Sequence, residues 1–177
     1  MSLIETVPVE SATGDVAAVY QRMQDAMGMV PNVLRLRSTS PFLLKQMAES
    51  LGYYMQHASL SPALLACVRM LVSVRTNCAY CIDFNAGLLI NVLGWTPEQV
   101  MATKADPGAA NLPAKDKAML LFILKAVGDA LSIASADVDS LRQLGWNDAE
   151  ILEGLSHGAA MVAGDILINA FKVERDF

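Results

Sequence analysis

Residues 75–85 read RTNCAYCIDFN, and this stretch decides how the rest of the chain is interpreted. It holds two of the three cysteines, Cys78 and Cys81, in a C-x-x-C spacing between two apolar segments. Two thiols about one helical turn apart can form a disulfide or share one thiolate. If the pair opens a helix, unpaired amide N–H groups and the positive end of the helix dipole favour the reactive thiolate. We therefore expect the chemistry of this protein at these two cysteines.

The chain on both sides of this stretch has the pattern of apolar helices. Residues 63–74 include only two polar side chains, Arg69 and Ser73, which predicts a buried central helix. A serine or threonine followed by proline marks further helix starts at residues 40, 61 and 96. Other helices are predicted at 13–27, 84–94, 113–128, 135–144 and 147–171, with a mobile loop at 105–111. The fold class is all-α, with residues 1–177 in a single compact helical domain and residues 1–12 extended.

The composition limits the cellular setting. Of the 177 residues 54% are hydrophobic and only 18% are charged, which is apolar for a soluble monomer. A membrane-spanning helix needs about 20 consecutive apolar residues, and Asn91 and Lys125 interrupt the candidate runs. The first residues have neither the basic start nor the apolar block of a signal peptide. We expect a cytoplasmic homo-oligomer that covers its apolar surface with copies of itself and does not enter a membrane.

Charge and cysteine count exclude several partners. The net charge is −5 and no cluster of lysine and arginine occurs, so nucleic acid is not an expected partner. Three cysteines do not form the disulfide framework of a small secreted protein. A structural zinc site usually takes four ligands, and the chain offers one cysteine pair. We therefore predict no metal and no cofactor.

Several segments of the sequence resemble a known family. Residues 60–63 (LSPA), the apolar helix after them and residues 77–81 (NCAYC) resemble the carboxymuconolactone decarboxylase-like family, in its alkylhydroperoxidase AhpD-like branch. Residues 141–151 (LRQLGWNDAEI) and 169–171 (NAF) are also similar to that branch. The resemblance covers roughly residues 13 to 175. It implies a compact all-helical AhpD-like subunit that assembles into trimers or hexamers.

The resemblance also implies an activity. Proteins of this branch are antioxidant thiol peroxidases of peroxiredoxin type, which reduce hydroperoxides through the dithiol and are re-reduced by a protein dithiol. This sequence departs from the family motif at two positions, because the family's glutamate and histidine are replaced by Ala66 and Asn85. Asparagine cannot act as a base and alanine cannot orient one. General-base catalysis contributes about 10²–10⁴-fold, so the loss predicts weakened peroxidase turnover.

The candidate catalytic residues are Cys81 and Cys78. The resemblance implies that Cys81 attacks and Cys78 resolves, whereas the dipole argument favours a thiolate on Cys78. Cys67 lies in the apolar helix and is expected to be buried and inert. Four further residues lie in the motif or carry charge or a basic nitrogen that could support the thiols: Tyr80, Asn85, Arg75 and His157.

Two functions from different classes stay open. One is an oxidoreductase that reduces a hydroperoxide or a disulfide with Cys78 and Cys81. The other is a non-catalytic AhpD-like oligomer that binds a small ligand or partner and keeps two inert thiols. The simplest interpretation of His157 is a hydrogen-bonded core or interface residue. Asp165 and Asn169 are expected to form a hydrogen-bonded pair between helices or subunits.

Overall fold

The computed structural model describes residues 2–176, in which nine α-helices and no strand occur. This confirms the all-α prediction. The chain groups into two compact units, one formed by residues 2–57 with 167–176 and the other by Ala58–Ile166. The organisation of the whole chain as a single domain stays a prediction.

The first unit contains the first three helices, α1 (Gly14–Met27), α2 (Asn32–Arg35) and α3 (Pro41–Met55). Gly28 ends α1 in the left-handed region with φ 73°, which glycine adopts without steric cost. The predicted extended segment at 1–12 holds a short 3₁₀ turn at Val9–Ser11, and Met1 lies outside the described residues. The core of this unit consists of buried side chains from these helices and their connections: Val16, Val19, Tyr20, Met23, Val30, Leu34, Leu44 and Ala48.

The second unit contains the dithiol. Its helices are α4 (Pro62–Arg75), α5 (Ala79–Asn91), α6 (Pro97–Ala105), α7 (Ala114–Gly128), α8 (Ser135–Gln143) and most of α9 (Asp148–Ala170). The predicted loop at 105–111 contains a 3₁₀ turn at Pro107–Ala109, and its mobility stays a prediction. Helix α4 contacts α5, α6 and α7 and buries nine of its side chains. The expected central helix is therefore confirmed.

Helix α9 packs closely because two of its residues on the packed face are glycines. A Cβ atom on Gly158 would lie 2.4 Å from Cγ2 of Ile123 on α7, and one on Gly154 would lie 3.2 Å from the sulfur of Met119. By length and composition α9 is also the one described helix that could cross a membrane, a test that core helices of soluble proteins meet as well. Here its close packing brings the polar side chains of His157 and Asp165 into the buried interior of the unit.

Candidate functional site

The two cysteines of the motif stand at the start of α5. Helix α4 ends at Arg75, and the chain reverses through Asn77, which has a φ of 53° in the left-handed region that asparagine tolerates better than most residues. The backbone N–H of Cys78 then donates to the carbonyl oxygen of Ser73 at 2.9 Å. Cys78 occupies the position that caps α5, and Cys81 lies in its first turn. Both thiols are therefore near the positive end of this helix dipole.

Both sulfurs are free thiols and both are buried. Cys78 has no exposed surface, whereas 6% of Cys81 is exposed. The hydrogen bond from the Cys81 thiol lowers the pKa of Cys78, and the backbone N–H of Cys81 acts in the same direction. The same hydrogen bond between the two thiols raises the pKa of Cys81, and burial raises it further. Within the pair, ionisation of Cys78 is therefore favoured over ionisation of Cys81.

A carboxylate from α9 meets the two thiols. Asp165 has no exposed surface, and the sulfurs of Cys78 and Cys81 and a carboxylate oxygen of Asp165 all lie within 4.8 Å of one another. The hydroxyl of Ser73 donates to Asp165 Oδ2 at 2.8 Å, and the hydroxyl of Thr76 donates to the same oxygen at 2.5 Å. The negative charge of Asp165 contributes to raising the pKa of both thiols. The carboxylate therefore opposes ionisation of both thiols at once.

A buried cation lies near Cys81. The Nε of Arg69 on α4 donates to the side-chain oxygen of Asn85 at 2.6 Å. Burial lowers the pKa of Arg69 to about 10, while the nearby thiols of Cys81 and Cys67 act in the opposite direction. Arg69 therefore stays charged at neutral pH, and its interaction with Cys81 favours a thiolate there. The dithiol is thus influenced by a carboxylate and by a guanidinium.

His157 holds Arg69 in place. An Nη of Arg69 lies 3.3 Å from Nε2 of His157, and since arginine only donates, that ring nitrogen accepts. Burial, together with the charge of Arg69, lowers the pKa of His157 to about 3. A nitrogen of that basicity is too weak to take a proton from a thiol at neutral pH. The interpretation of His157 as a hydrogen-bonded core residue fits this geometry.

The other residues proposed to support the thiols have different surroundings. Asn85 donates to the carbonyl oxygen of Cys81 at 2.8 Å and accepts from Arg69, so it fixes the guanidinium beside the motif. Arg75 donates to the carbonyl oxygen of Leu124 near the end of α7 rather than to a sulfur. Tyr80 is buried and its ring stacks on that of Phe84 at 6.2 Å between centroids.

Cys67 does not join the pair. It is fully buried in α4, and burial raises its pKa to about 12. A thiol with that pKa is protonated at neutral pH and does not act as a nucleophile. This agrees with the expectation that Cys67 is inert.

The roles of Asp165 and Arg69 were not predicted from the sequence. Asp165 accepts hydrogen bonds from Ser73 in α4 and from Thr76 directly after it, and its expected pairing with Asn169 stays a prediction. The sequence does contain a relevant pattern. Asp165 is an acidic residue within the apolar last helix, and Arg69 and Ser73 are the polar residues of the apolar segment 63–74. Buried charged residues are rare unless they have partners, so these positions could have been matched to each other.

The comparisons with known proteins concern the fold. No family model and no curated protein matches the chain. A peroxidase-related protein with an alkylhydroperoxidase AhpD core from Ralstonia eutropha JMP134 is similar with a TM-score of 0.86 and 19% identity, over 99% of this chain and 92% of that chain. A peroxidase-related protein from Silicibacter sp. TM1040 is similar with a TM-score of 0.81 and 22% identity, over 97% and 87% of the two chains.

A third solved structure of the same fold is named for a different activity, debromination. It is a cysteine-to-alanine variant of the debrominase Bmp8 in complex with 2,3,4-tribromopyrrole. It has a TM-score of 0.80 and 14% identity, over 99% of this chain and 92% of that chain. Identities this low establish the fold alone. The structural neighbours of this chain are AhpD-core and peroxidase-related proteins, and its fold is the AhpD-like fold that the sequence motif predicts.

Proposed function

We propose that this protein is a thiol–disulfide oxidoreductase that reduces hydroperoxides with Cys81 and Cys78. The observation that carries the proposal is the proximity of two reduced thiols at the start of α5, with sulfurs within 4.8 Å of each other. The hydrogen bond between them lowers the pKa of Cys78. A dithiol that shares one proton contains both a reactive thiolate and an acid. The AhpD-core and peroxidase-related neighbours support the choice of hydroperoxide as substrate class.

Cys81 is the attacking residue in this proposal. Cys81 is the more exposed of the two cysteines, and the positive charge of Arg69 stabilises a thiolate on its sulfur. The thiolate of Cys78 takes the proton of Cys81, so that the pair takes the place of the histidine base that the family motif implies at Asn85. The Cys81 thiolate then attacks the terminal oxygen of the hydroperoxide. An S–O bond forms, the O–O bond breaks, and the leaving alkoxide takes the proton from the Cys78 thiol.

The second half of the reaction closes the disulfide. The Cys78 thiolate attacks the sulfur of the Cys81 sulfenic acid, the S–S bond forms, and the leaving hydroxide takes a proton from solvent to give water. In total, one thiolate, one thiol, one hydroperoxide and one proton give a disulfide, an alcohol and water. A protein dithiol then reduces the disulfide in the cytoplasm. Asp165 contributes by keeping one proton on the pair in the resting state.

Two single variants test both the activity and the order of attack. With a dithiol reductant, wild type should consume an alkyl hydroperoxide, and Cys81→Ser and Cys78→Ser should not turn over. Cys78→Ser should form one sulfenic acid, trapped by dimedone and located by mass spectrometry at Cys81, whereas Cys81→Ser should form none. Cys67→Ala is the matched control and should behave as wild type.

Two results would contradict the proposal. If wild type and Cys81→Ser consume hydroperoxide equally, the dithiol is not the catalytic group, and the non-catalytic alternative stands. If the sulfenic acid forms in Cys81→Ser instead, the order of attack is reversed. Because one neighbour is a debrominase, the same assay with 2,3,4-tribromopyrrole measures whether the dithiol prefers a halogenated substrate.

A further inference from the structure

Three buried side chains from two separate segments meet at one point. Cys78 and Cys81 come from the start of α5, and Asp165 comes from α9, more than eighty residues later. One atom from each, two sulfurs and one carboxylate oxygen, lie within 4.8 Å of one another. In a zinc site with bonds of about 2.3 Å to sulfur and about 2.0–2.2 Å to oxygen, tetrahedral geometry separates such atoms by about 3.5–3.8 Å. No two of the three atoms are more than 4.8 Å apart, which is close to the spacing that such a site needs.

The charge of the cluster also favours a cation. Cys78 and Cys81 can each supply a thiolate to a metal ion, and both are buried together with the carboxylate of Asp165. Two negative groups in a buried site repel each other strongly, and a divalent cation between them would offset both charges. Binding such a cation would also displace the proton of Cys81 and bring the second sulfur into the same set of ligands.

The carboxylate is already oriented for this task. The hydroxyls of Ser73 in α4 and of Thr76, the residue after α4, donate to Oδ2 of Asp165 at 2.8 and 2.5 Å. Carboxylates that bind metal ions are usually held by hydrogen bonds of this kind, which set their direction and raise affinity. The sequence offered one cysteine pair and predicted no metal. The fold adds a third ligand that spacing along the chain could not reveal.

We propose that the reduced dithiol and Asp165 form a site for a divalent zinc ion, with two thiolates, one carboxylate and an exchangeable fourth position. Three protein ligands with an open position distinguish such a site from a closed structural one. The positive charge of Arg69 near Cys81 repels a divalent cation and weakens binding relative to a site without it. A zinc-bound dithiol cannot close a disulfide, so zinc would occupy the site only in the reduced state.

The test measures binding and needs no turnover. Reduced protein freed of metal by a chelator is titrated with zinc chloride by calorimetry, and Co²⁺ is used as a spectroscopic probe of thiolate ligands. Wild type should bind one ion per chain and show sulfur-to-cobalt charge-transfer bands. Cys81→Ser should lose binding, Asp165→Asn should bind roughly 10-fold more weakly or worse, and Cys67→Ala should match wild type.

The disulfide form of the wild-type chain supplies a control that needs no substitution. Protein oxidised with diamide should bind no zinc and regain binding after reduction. The proposal is overturned if reduced wild type binds no ion, or if Asp165→Asn binds zinc as tightly as wild type. It is also overturned if the oxidised protein binds as well as the reduced one. Absence of peroxidase activity would remove the proposed function and leave this result unaffected.

Discussion

At the scale of single residues, the thiol–thiol hydrogen bond and burial have the largest effects on the pKa values of the two thiols, and Asp165 adds to them. Its carboxylate contributes to raising the pKa of Cys78 and Cys81, and Asp165→Asn removes that negative charge while keeping the shape of the side chain. The thiol pKa should fall, and each unit of fall means about tenfold more thiolate at a pH below the pKa. The rate of alkylation by iodoacetamide is measured between about pH 5 and pH 9, a range that includes the ordinary thiol pKa of about 8.5. At the lower pH values in this range, the variant should be alkylated faster than wild type.

The same substitution separates reactivity from turnover. If the proton held by the pair is used by the leaving alkoxide, Asp165→Asn should alkylate faster and yet reduce hydroperoxide no faster than wild type. A carboxylate with only a packing role would leave the pH profile of alkylation unchanged. Ser73→Ala keeps the carboxylate charge and removes one donor to it, and it is the matched control for loss of the hydrogen bond.

His157 gives the folded state a dependence on acid. Its pKa is lowered from 6.5 to about 3, so the unfolded chain takes up a proton at this residue before the folded chain does. The stabilisation is complete above pH 6.5 and is lost as the pH falls from 6.5 towards 3. Wild type should lose up to about 1.4 kcal/mol of unfolding free energy per pH unit more than His157→Gln across that window.

Urea unfolding at a series of pH values measures this difference. Glutamine can accept the hydrogen bond from Arg69 without binding a proton itself, so the comparison isolates the titration of the ring. His57→Gln removes the other histidine of the chain and is the control for replacing a histidine at a different position. Parallel slopes for wild type and His157→Gln would show that His157 is not buried in its neutral form.

At the scale of helices, local signals predicted the boundaries well. Ser40, Ser61 and Thr96 each precede a proline, and each is observed at the start of a helix where its hydroxyl accepts a backbone N–H. Each of these signals consists of neighbouring residues, so the start of the helix can be predicted without knowing the rest of the fold. Burial was less predictable, because Met27 follows the apolar period of α1 and is nevertheless 40% exposed. The side of a helix that faces the core depends on its neighbours, which the period alone does not specify.

In the candidate site too, local features were predictable and contacts between distant residues were not. The C-x-x-C pair at the start of α5 is a local feature and was predicted. The contact of Asp165 with Ser73 and Thr76 joins residues about ninety positions apart and depends on how α9 lies on α4. The placement of Arg69 beside Asn85 has the same origin, since two different helices supply the partners. No periodicity encodes these contacts, so the chemical surroundings of the thiols required the fold.

The close packing of α9 makes a direct prediction at this scale. In Gly158→Ala the new methyl group would overlap Cγ2 of Ile123, so α9 or α7 must shift. Such overpacking costs about 1–3 kcal/mol, which urea unfolding should measure as a lower midpoint. Gly52→Ala is the control, because nothing lies within 4 Å of its Cβ in α3. It should be stabilising by up to about 1 kcal/mol, and equal effects of the two variants would contradict the packing argument.

At the scale of the whole molecule, α9 leaves an apolar face uncovered. Leu152 is 67% exposed and Ile166 is 60% exposed, and the positions between them on the same face are occupied by small side chains at Ser156, Ala159 and Ala163. A low charge content and such a face are typical of chains that associate with copies of themselves. We therefore expect the homo-oligomer predicted from composition to use this face.

Leu152→Lys tests that assignment. A lysine in a buried apolar interface lacks a partner for its charge, so the variant should shift from oligomer to smaller species in size-exclusion chromatography with light scattering. Leu131 is 97% exposed and lies outside α9, so Leu131→Lys should keep the molar mass of wild type. If both variants dissociate, the interface includes the segment around Leu131. If neither does, α9 does not mediate association, and the apolar surface of the chain has another use.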